Sequence, residues 1–206
     1  MTALATEVIT MDLDQALWQA WKSMDVPDGV RAEIIEGAIE MSPTGGARHF
    51  RVNQRLARAL NHFLRDSGHG AGQDGNVIHG RKVLIPDVFV APDEEAEFED
   101  PEGLGILASG VSLVVETVSP GSDARQRDLV RKHRAYAQAG IPVYVIIDDY
   151  DNGGAVTVLS GPDPARGAYN SSARTPYGEV AVIPEGPAKG FVIGAEITGG
   201  PLAQQA

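Results

Sequence analysis

Apolar and polar positions follow two periods along the chain, and the switches between them mark its elements. Asp12 to Met24 sets Leu13, Ala16, Leu17, Ala20 and Trp21 on one side at helical spacing, which predicts a short amphipathic helix. Arg31 to Ser42 alternates with period two around Gly37, predicting a β-hairpin that turns near Glu36-Gly37. Pro43-Thr44-Gly45-Gly46 reads as a loop, with Thr44 placed to cap the N-terminus of the next helix. Ala47 to Arg65 is the clearest helix. Phe50, Asn53, Leu56, Ala57, Leu60, Phe63 and Leu64 mark one face of it. Gly68 suits the C′ position after it.

Gly68 to Gly75 breaks the pattern, and two β segments come after it at Gln73–Ile78 and Lys82–Ala91. Pro92 to Glu102 is rich in Asp and Glu, ordinarily the mark of a solvated surface loop. Val111 to Val118 is a β-branched apolar run of the kind covered on both faces of a sheet. Asp123 to Ala139 reads as a second helix stopped at Gly140, and Pro142 to Asp148 as another buried strand. Val111 to Asp148 thus has the size of a βαβ crossover. Beyond Asp149 the chain is rich in Gly and Pro. Val156–Leu159, Val180–Ile183 and Phe191–Ile193 read as short strands of an antiparallel annex, and Pro201–Ala206 as a frayed tail.

Composition narrows the class. A chain of 206 residues with 43% hydrophobic and 22% charged residues fits one soluble globular domain. Cysteine is absent, which excludes disulfides and thiolate chemistry. Met1 to Gln15 lacks the pattern of a secretory signal. The longest apolar run, Val143 to Ile147, is far short of the roughly 20 residues of a membrane helix. A cytoplasmic protein with no membrane partner is the expectation.

Charge changes the picture more. Lys and Arg total 17 against 28 Asp and Glu, a net charge of −11, which by itself points away from phosphate-rich partners. The charge is unevenly placed. Arg48, Arg51, Arg55, Arg58 and Arg65 fall on the first long helix without an acid. Arg125, Arg127, Arg131, Lys132 and Arg134 fall on the second with only Asp123 and Asp128. Solvated helix faces often look like this, so each helix alone is ambiguous.

Three residues carry candidate chemistry. Asp87 sits inside Val83-Leu84-Ile85-Pro86-Asp87-Val88-Phe89-Val90, where a carboxylate must be paired, hydrogen-bonded or on a metal. A turn or bulge aspartate is the plainer alternative. Glu116 lies near the carboxyl end of a buried strand, where ligands of α/β sheets gather. A purely structural ion pair would also explain it. Lys132 shares a helix face with Asp128 and Tyr136, and a surface pair with Asp128 is its ordinary reading. Taken together they suit a Mg²⁺ or Mn²⁺ held by hard oxygens. The metal would polarise a phosphodiester and activate water, and the lysine would add positive charge. The backbone carbonyl of Thr117 or Val118 could complete the metal shell.

Ile85-Pro86-Asp87 followed 29 residues later by Glu116-Thr117-Val118 resembles the PD-(D/E)xK nucleases of restriction-endonuclease-like fold. More specifically, the chain resembles the Uma-type restriction endonuclease family. Glu33-Ile34-Ile35-Glu36-Gly37, Met41-Ser42-Pro43 and Arg48-His49 match it, as do Val114 to Pro120, Arg127-Asp128 with Lys132 and Tyr136, and Ala139 to Asp148. The matching span is about 31–159, with 160–206 as a β-rich extension. The resemblance implies an αβββαβ core with a mixed sheet flanked by helices, preceded by a helix and hairpin. It assigns Asp87 and Glu116 to the metal, Glu33 as an additional acid and Lys132 as the lysine. That lysine comes from the following helix, because Val118 stands where the superfamily has its own. Ile85 and Tyr144-Val145 depart from the usual family residues without removing a ligand.

The function this implies is metal-dependent hydrolysis of DNA by a homodimer, with His49, Arg48, Arg51, Arg127 and Arg131 as candidate phosphate contacts. A binding or assembly module on a nuclease scaffold, or a phosphoesterase acting on RNA or another phosphate, are the alternatives. No zinc motif, P-loop or dinucleotide fingerprint competes with these readings.

Overall fold

The structure, a computed structural model, describes residues 12–94 and 96–202. Helix α1 (Leu13–Lys22) leads into the hairpin β1 (Val30–Ile35) and β2 (Ala38–Pro43), followed by α2 (Ala47–Leu64). Next come β3 (His69–Gly72), β4 (Val77–His79), β5 (Lys82–Leu84) and β6 (Val88–Pro92), then β7 (Ile106–Leu107) and β8 (Leu113–Thr117). A continuous helical run holds α3 (Ser122–Gln126), a π-helical stretch (Arg127–Lys132) and α4 (His133–Gln138). The chain ends with β9 (Val143–Asp148), β10 (Ala155–Asp163), β11 (Ala168–Pro176), β12 (Ala181–Val182), β13 (Val192–Ile193) and α5 (Ala195–Thr198).

Two mixed sheets carry the fold. One has the order β2-β1-β5-β4-β7, the other β11-β10-β9-β8-β6-β3, and β12-β13 form a separate pair. The larger sheet is antiparallel except where β8 runs parallel to β9, as the crossover connection between them requires. Helix α2 covers one face. Val52, Leu56, Leu60 and Leu64 pack there on Val88, Val90, Val115, Val143 and Val145. The helical run covers the other face, where Ala135 and Tyr136 meet Val114, Val118 and Tyr144. Burial on both faces is why β8 and β9 read as unbroken apolar runs. Each fully buried Leu or Val contributes about 1.5–3 kcal/mol to holding the layers together.

The hairpin turns at Glu36 and Gly37, both at positive φ (47° and 78°), the geometry of a two-residue turn that matches strand twist. Several expectations need correction. Gly46, not Thr44, is the N-cap of α2, while Thr44 donates its backbone N–H to Gly29 at 2.9 Å. Of the strand expected at Gln73–Ile78, only Val77 and Ile78 fall in β4, and residues 73–76 are the turn between β3 and β4. The glycines before it do not break the sheet. A Cβ on Gly72 would meet the Phe89 ring at 2.4 Å, so a side chain from the neighbouring strand fills that space. The segment Lys82–Ala91 is two strands, split at Ile85-Pro86-Asp87. Strand β11 has no apolar alternation to betray it, being an exposed edge rich in Asn and Ser. It pairs with β10 through its backbone, so Val156–Leu159 belongs to the main sheet and only β12 and β13 stand apart. Residues 203–206 of the expected tail, Glu95 of the acidic loop and residues 1–11 lie outside the described residues.

Candidate active site

The split between β5 and β6 carries the chain from the smaller sheet to the larger one. Pro86 has no N–H and interrupts the ladder there, so the flanking backbone groups need other partners. They find them in the site itself. The Ile85 N–H donates to Glu33 Oε1 at 2.6 Å, and the Ile85 carbonyl accepts from Lys132 Nζ at 3.1 Å. One step beyond the Val88↔Val115 pair, the antiparallel register sets Asp87 opposite Glu116. The two-residue period of β8 then directs Glu116 to the side of α4 and Thr117 to the side of α2. Lys132 ends the π-helical stretch, a widened turn that recurs at functional sites.

Asp87 is 2% exposed. Its Oδ1 accepts from Arg31 Nη1 at 2.7 Å. Its Oδ2 accepts from the Thr117 N–H at 2.8 Å and from His49 Nε2, also at 2.8 Å. Burial pushes this carboxyl up, but the hydrogen bond and charge of His49, with Arg31 and Lys132, prevail and hold it at about 2.

Glu116 has a different environment. Its Oε1 accepts from Lys132 Nζ at 2.9 Å and from the Tyr136 hydroxyl at 2.5 Å. Among the described residues no hydrogen bond reaches its Oε2. Burial drives its carboxyl up to about 8, with Asp87, Asp128 and Glu33 adding to the effect and Lys132 opposing it. Lys132 also lies 3.0 Å from Glu33 Oε1. Burial alone would lower Lys132, but Glu116 and Glu33 raise it above the ordinary lysine range, so it stays an ammonium. Asp128, buried beside them, is raised by burial against the pull of Lys132 and Arg127. It pairs with Arg127 at 2.9 Å, not with Lys132 as the helical spacing suggested.

Glu33, Asp87, Glu116 and Asp128 are thus buried together against Arg31, Arg127 and Lys132, four carboxyl groups against three cations. All of these except Glu33 line a small polar pocket with a cavity volume of about 10 Å³, about the space of one water-sized sphere. Among the described residues no group of three or more His, Asp or Glu is arranged to hold a metal. Asp87 and Glu116 could hold a hard cation only if water and substrate oxygens filled its remaining positions. The donor set does not fit a closed, all-protein cage.

The other residues singled out in the sequence fall in three places. His49 and Arg127 line the pocket. Arg48 turns away from it, bonded to Asp149 at 2.5 and 2.8 Å and to the Thr198 carbonyl at 3.0 Å. Arg131 is paired with Glu40, and Arg51 is exposed on α2. Val118 continues the sheet through its N–H to Ile147 at 2.8 Å, and Thr117 and Ser119 line the pocket on either side of it. Sequence reasoning missed Arg31 and Asn53, and singled out Thr117 only for its carbonyl, whereas its N–H and hydroxyl make the contacts. Arg31 looked like a hairpin residue, and Asn53 an ordinary face position. Only the buried placing of an amide on an apolar helix stripe could have marked Asn53.

The family model described as "putative restriction endonuclease", Uma2, matches residues 18–195. No curated relative matches the sequence. Among solved structures, the fold is similar to that of a putative nuclease of the DUF820 group from Anabaena variabilis ATCC 29413. The TM-score is 0.67 at 17% identity, over 92% of this chain and 97% of that one. Among the described residues no helix is long and apolar enough to cross a membrane.

Proposed function

The chain belongs to the Uma2 family, and on that premise we propose that it is a Mg²⁺- or Mn²⁺-dependent endonuclease that hydrolyses DNA phosphodiester bonds. The observation that carries the reading is Asp87 set opposite Glu116, with Lys132 locked between Glu116 and Glu33. Asp87 and Glu116 would hold the cation, and Glu116 Oε2 has no competing donor among the described residues. A bound divalent ion supplies Lewis-acid polarisation of the phosphate and a lowered pKa for water.

The protein's own groups do the rest. Lys132 has three acceptors for its three N–H groups, in Ile85, Glu33 and Glu116. Held protonated, it does not take a proton from water. It contributes a fixed positive charge beside the phosphate as negative charge grows in the transition state. Tyr136 and Glu33 fix the positions of Glu116 and Lys132. Arg127 also lines the pocket and would meet a phosphate oxygen. A cytoplasmic homodimer would bring two such sites to the two strands of a duplex.

Nicking of supercoiled plasmid by purified protein tests this. Cleavage is expected with Mg²⁺ or Mn²⁺ and not with EDTA, and Asp87→Asn or Glu116→Gln should lower it by about 100-fold or more. Equal cleavage by either variant would overturn the assignment. RNA cut in preference to DNA would move the substrate and leave the chemistry standing.

A further inference from the structure

His49 holds the edge of Asp87 that faces the pocket, and three features show that this position is built. The first is its tautomer. Ionised Asp87 only accepts hydrogen bonds, so His49 Nε2, 2.8 Å from Asp87 Oδ2, carries the proton. The second is support from behind. Thr117 Oγ1 donates to Asn53 Oδ1 at 2.6 Å, which leaves the Asn53 amide N–H for His49 Nδ1 at 3.2 Å. Asn53 is buried on the inner stripe of α2, so this relay is fixed in the core. The third is space. A Cβ on Gly45 would lie 2.2 Å from His49 Nδ1 and 2.3 Å from its Cγ. Gly45 is not among the residues at positive φ. Its missing side chain therefore serves the imidazole and not the backbone.

We propose that His49 is a latch on Asp87, competing with a divalent cation for that carboxylate, and that Gly45 and Asn53 are the cradle that sets the latch. The proposal rests on the metal-dependent function proposed for the site. Three donors occupy Asp87, and they differ in how firmly they are held. The Thr117 N–H belongs to the β8 backbone. Arg31 is anchored a second time by Asp74. His49 alone is a side chain whose only other bond among the described residues is the longer one to Asn53, and it lines the pocket. It is the donor that yields when a cation takes Oδ2. This role is opposite in sign to that of a metal ligand. A ligand strengthens cation binding, whereas a latch weakens it.

Calorimetric titration of Mn²⁺ into the full-length protein at pH 7.5, without nucleic acid, separates the two. His49→Ala is expected to bind Mn²⁺ about 10- to 100-fold more tightly than wild type, the worth of one charge-assisted hydrogen bond. Gly45→Ala keeps the imidazole but denies it its place, and should tighten binding in the same direction. Weaker or unchanged binding in both variants, with folding confirmed by circular dichroism, overturns the latch. Asp87→Ala is run beside them. If it abolishes binding while the other two fail to tighten it, the latch alone is wrong. If wild type binds no Mn²⁺, or Asp87→Ala binds as wild type does, the metal-dependent function falls and the latch with it.

Discussion

The two basic helical stretches look alike in sequence and behave differently in the fold. Along the run 122–138, Arg125 pairs with Asp148, Arg127 with Asp128, Arg131 with Glu40 and Arg134 with Glu36, while Lys132 meets Glu33 and Glu116. Its positive charge is matched by acids from β1, β2, β8, β9 and the turn of the hairpin. On α2, Arg51, Arg55 and Arg58 are exposed and have no carboxylate partner among the described residues. A basic count along a helix therefore does not measure charge available to a partner. Most of the second helix's charge holds the site together. The charge left unpaired is on α2, whose three arginines span about 10 Å along the axis, a length that would match the rise of about three phosphates on one strand.

The largest effect is expected at the buried end. Lys132→Met leaves Glu33 and Glu116 without their cation, and should cost about 3–5 kcal/mol and remove cleavage. Urea unfolding that shows no loss would mean the lysine is not the keystone of the cluster. At the exposed end, Arg51→Ala, Arg55→Ala and Arg58→Ala combined should leave thermal stability unchanged and weaken duplex DNA binding. The slope of log affinity against log salt should become shallower by about 2–3. An unchanged slope in fluorescence anisotropy would place the DNA elsewhere.

Acidity separates the two carboxyls within the buried site. Asp87 is held near 2, below an ordinary carboxyl, so its contribution is present above about pH 4 and is lost as pH falls toward 2. Glu116 is raised to about 8, so the folded protein keeps a proton that the unfolded chain has lost. Stability in EDTA should therefore fall as pH rises from about 4.5 toward 8. Glu116→Gln should flatten that decline in a melting-temperature series from pH 5 to 8, and an equal decline in the variant would contradict the assigned shift. The smallest effect belongs to Arg134→Ala, which breaks a half-exposed pair with Glu36. It should move the melting temperature by under about 2 °C and leave the DNA salt slope as it was.

Much of this was legible in the sequence because it rests on local pattern. Helix α2, the hairpin and the buried strands β8 and β9 follow from apolar periodicity. Asp87 and Glu116 were visible as carboxylates where the pattern demanded apolar residues. Other features depend on contacts far apart in the chain and leave no periodic trace. Arg31 reaches Asp87 across 56 positions, and Arg131 finds Glu40 across 91. Nothing in an i,i+4 spacing shows that Asp128 prefers its neighbour Arg127 and frees Lys132 for Glu116. Strand β11 was invisible because an exposed edge needs no apolar face, and β3 because its Gly70 and Gly72 make room for Asp93 and Phe89 instead of ending a strand.

The proposed site, Asp87 and Glu116 holding one divalent cation beside Lys132, stands or falls on anomalous diffraction from a crystal soaked in Mn²⁺. A single peak within coordination distance of both carboxylates, with the His49 ring moved off Asp87, is the expected result. No peak between them at saturating Mn²⁺, or a peak bound only elsewhere on the surface, would contradict it.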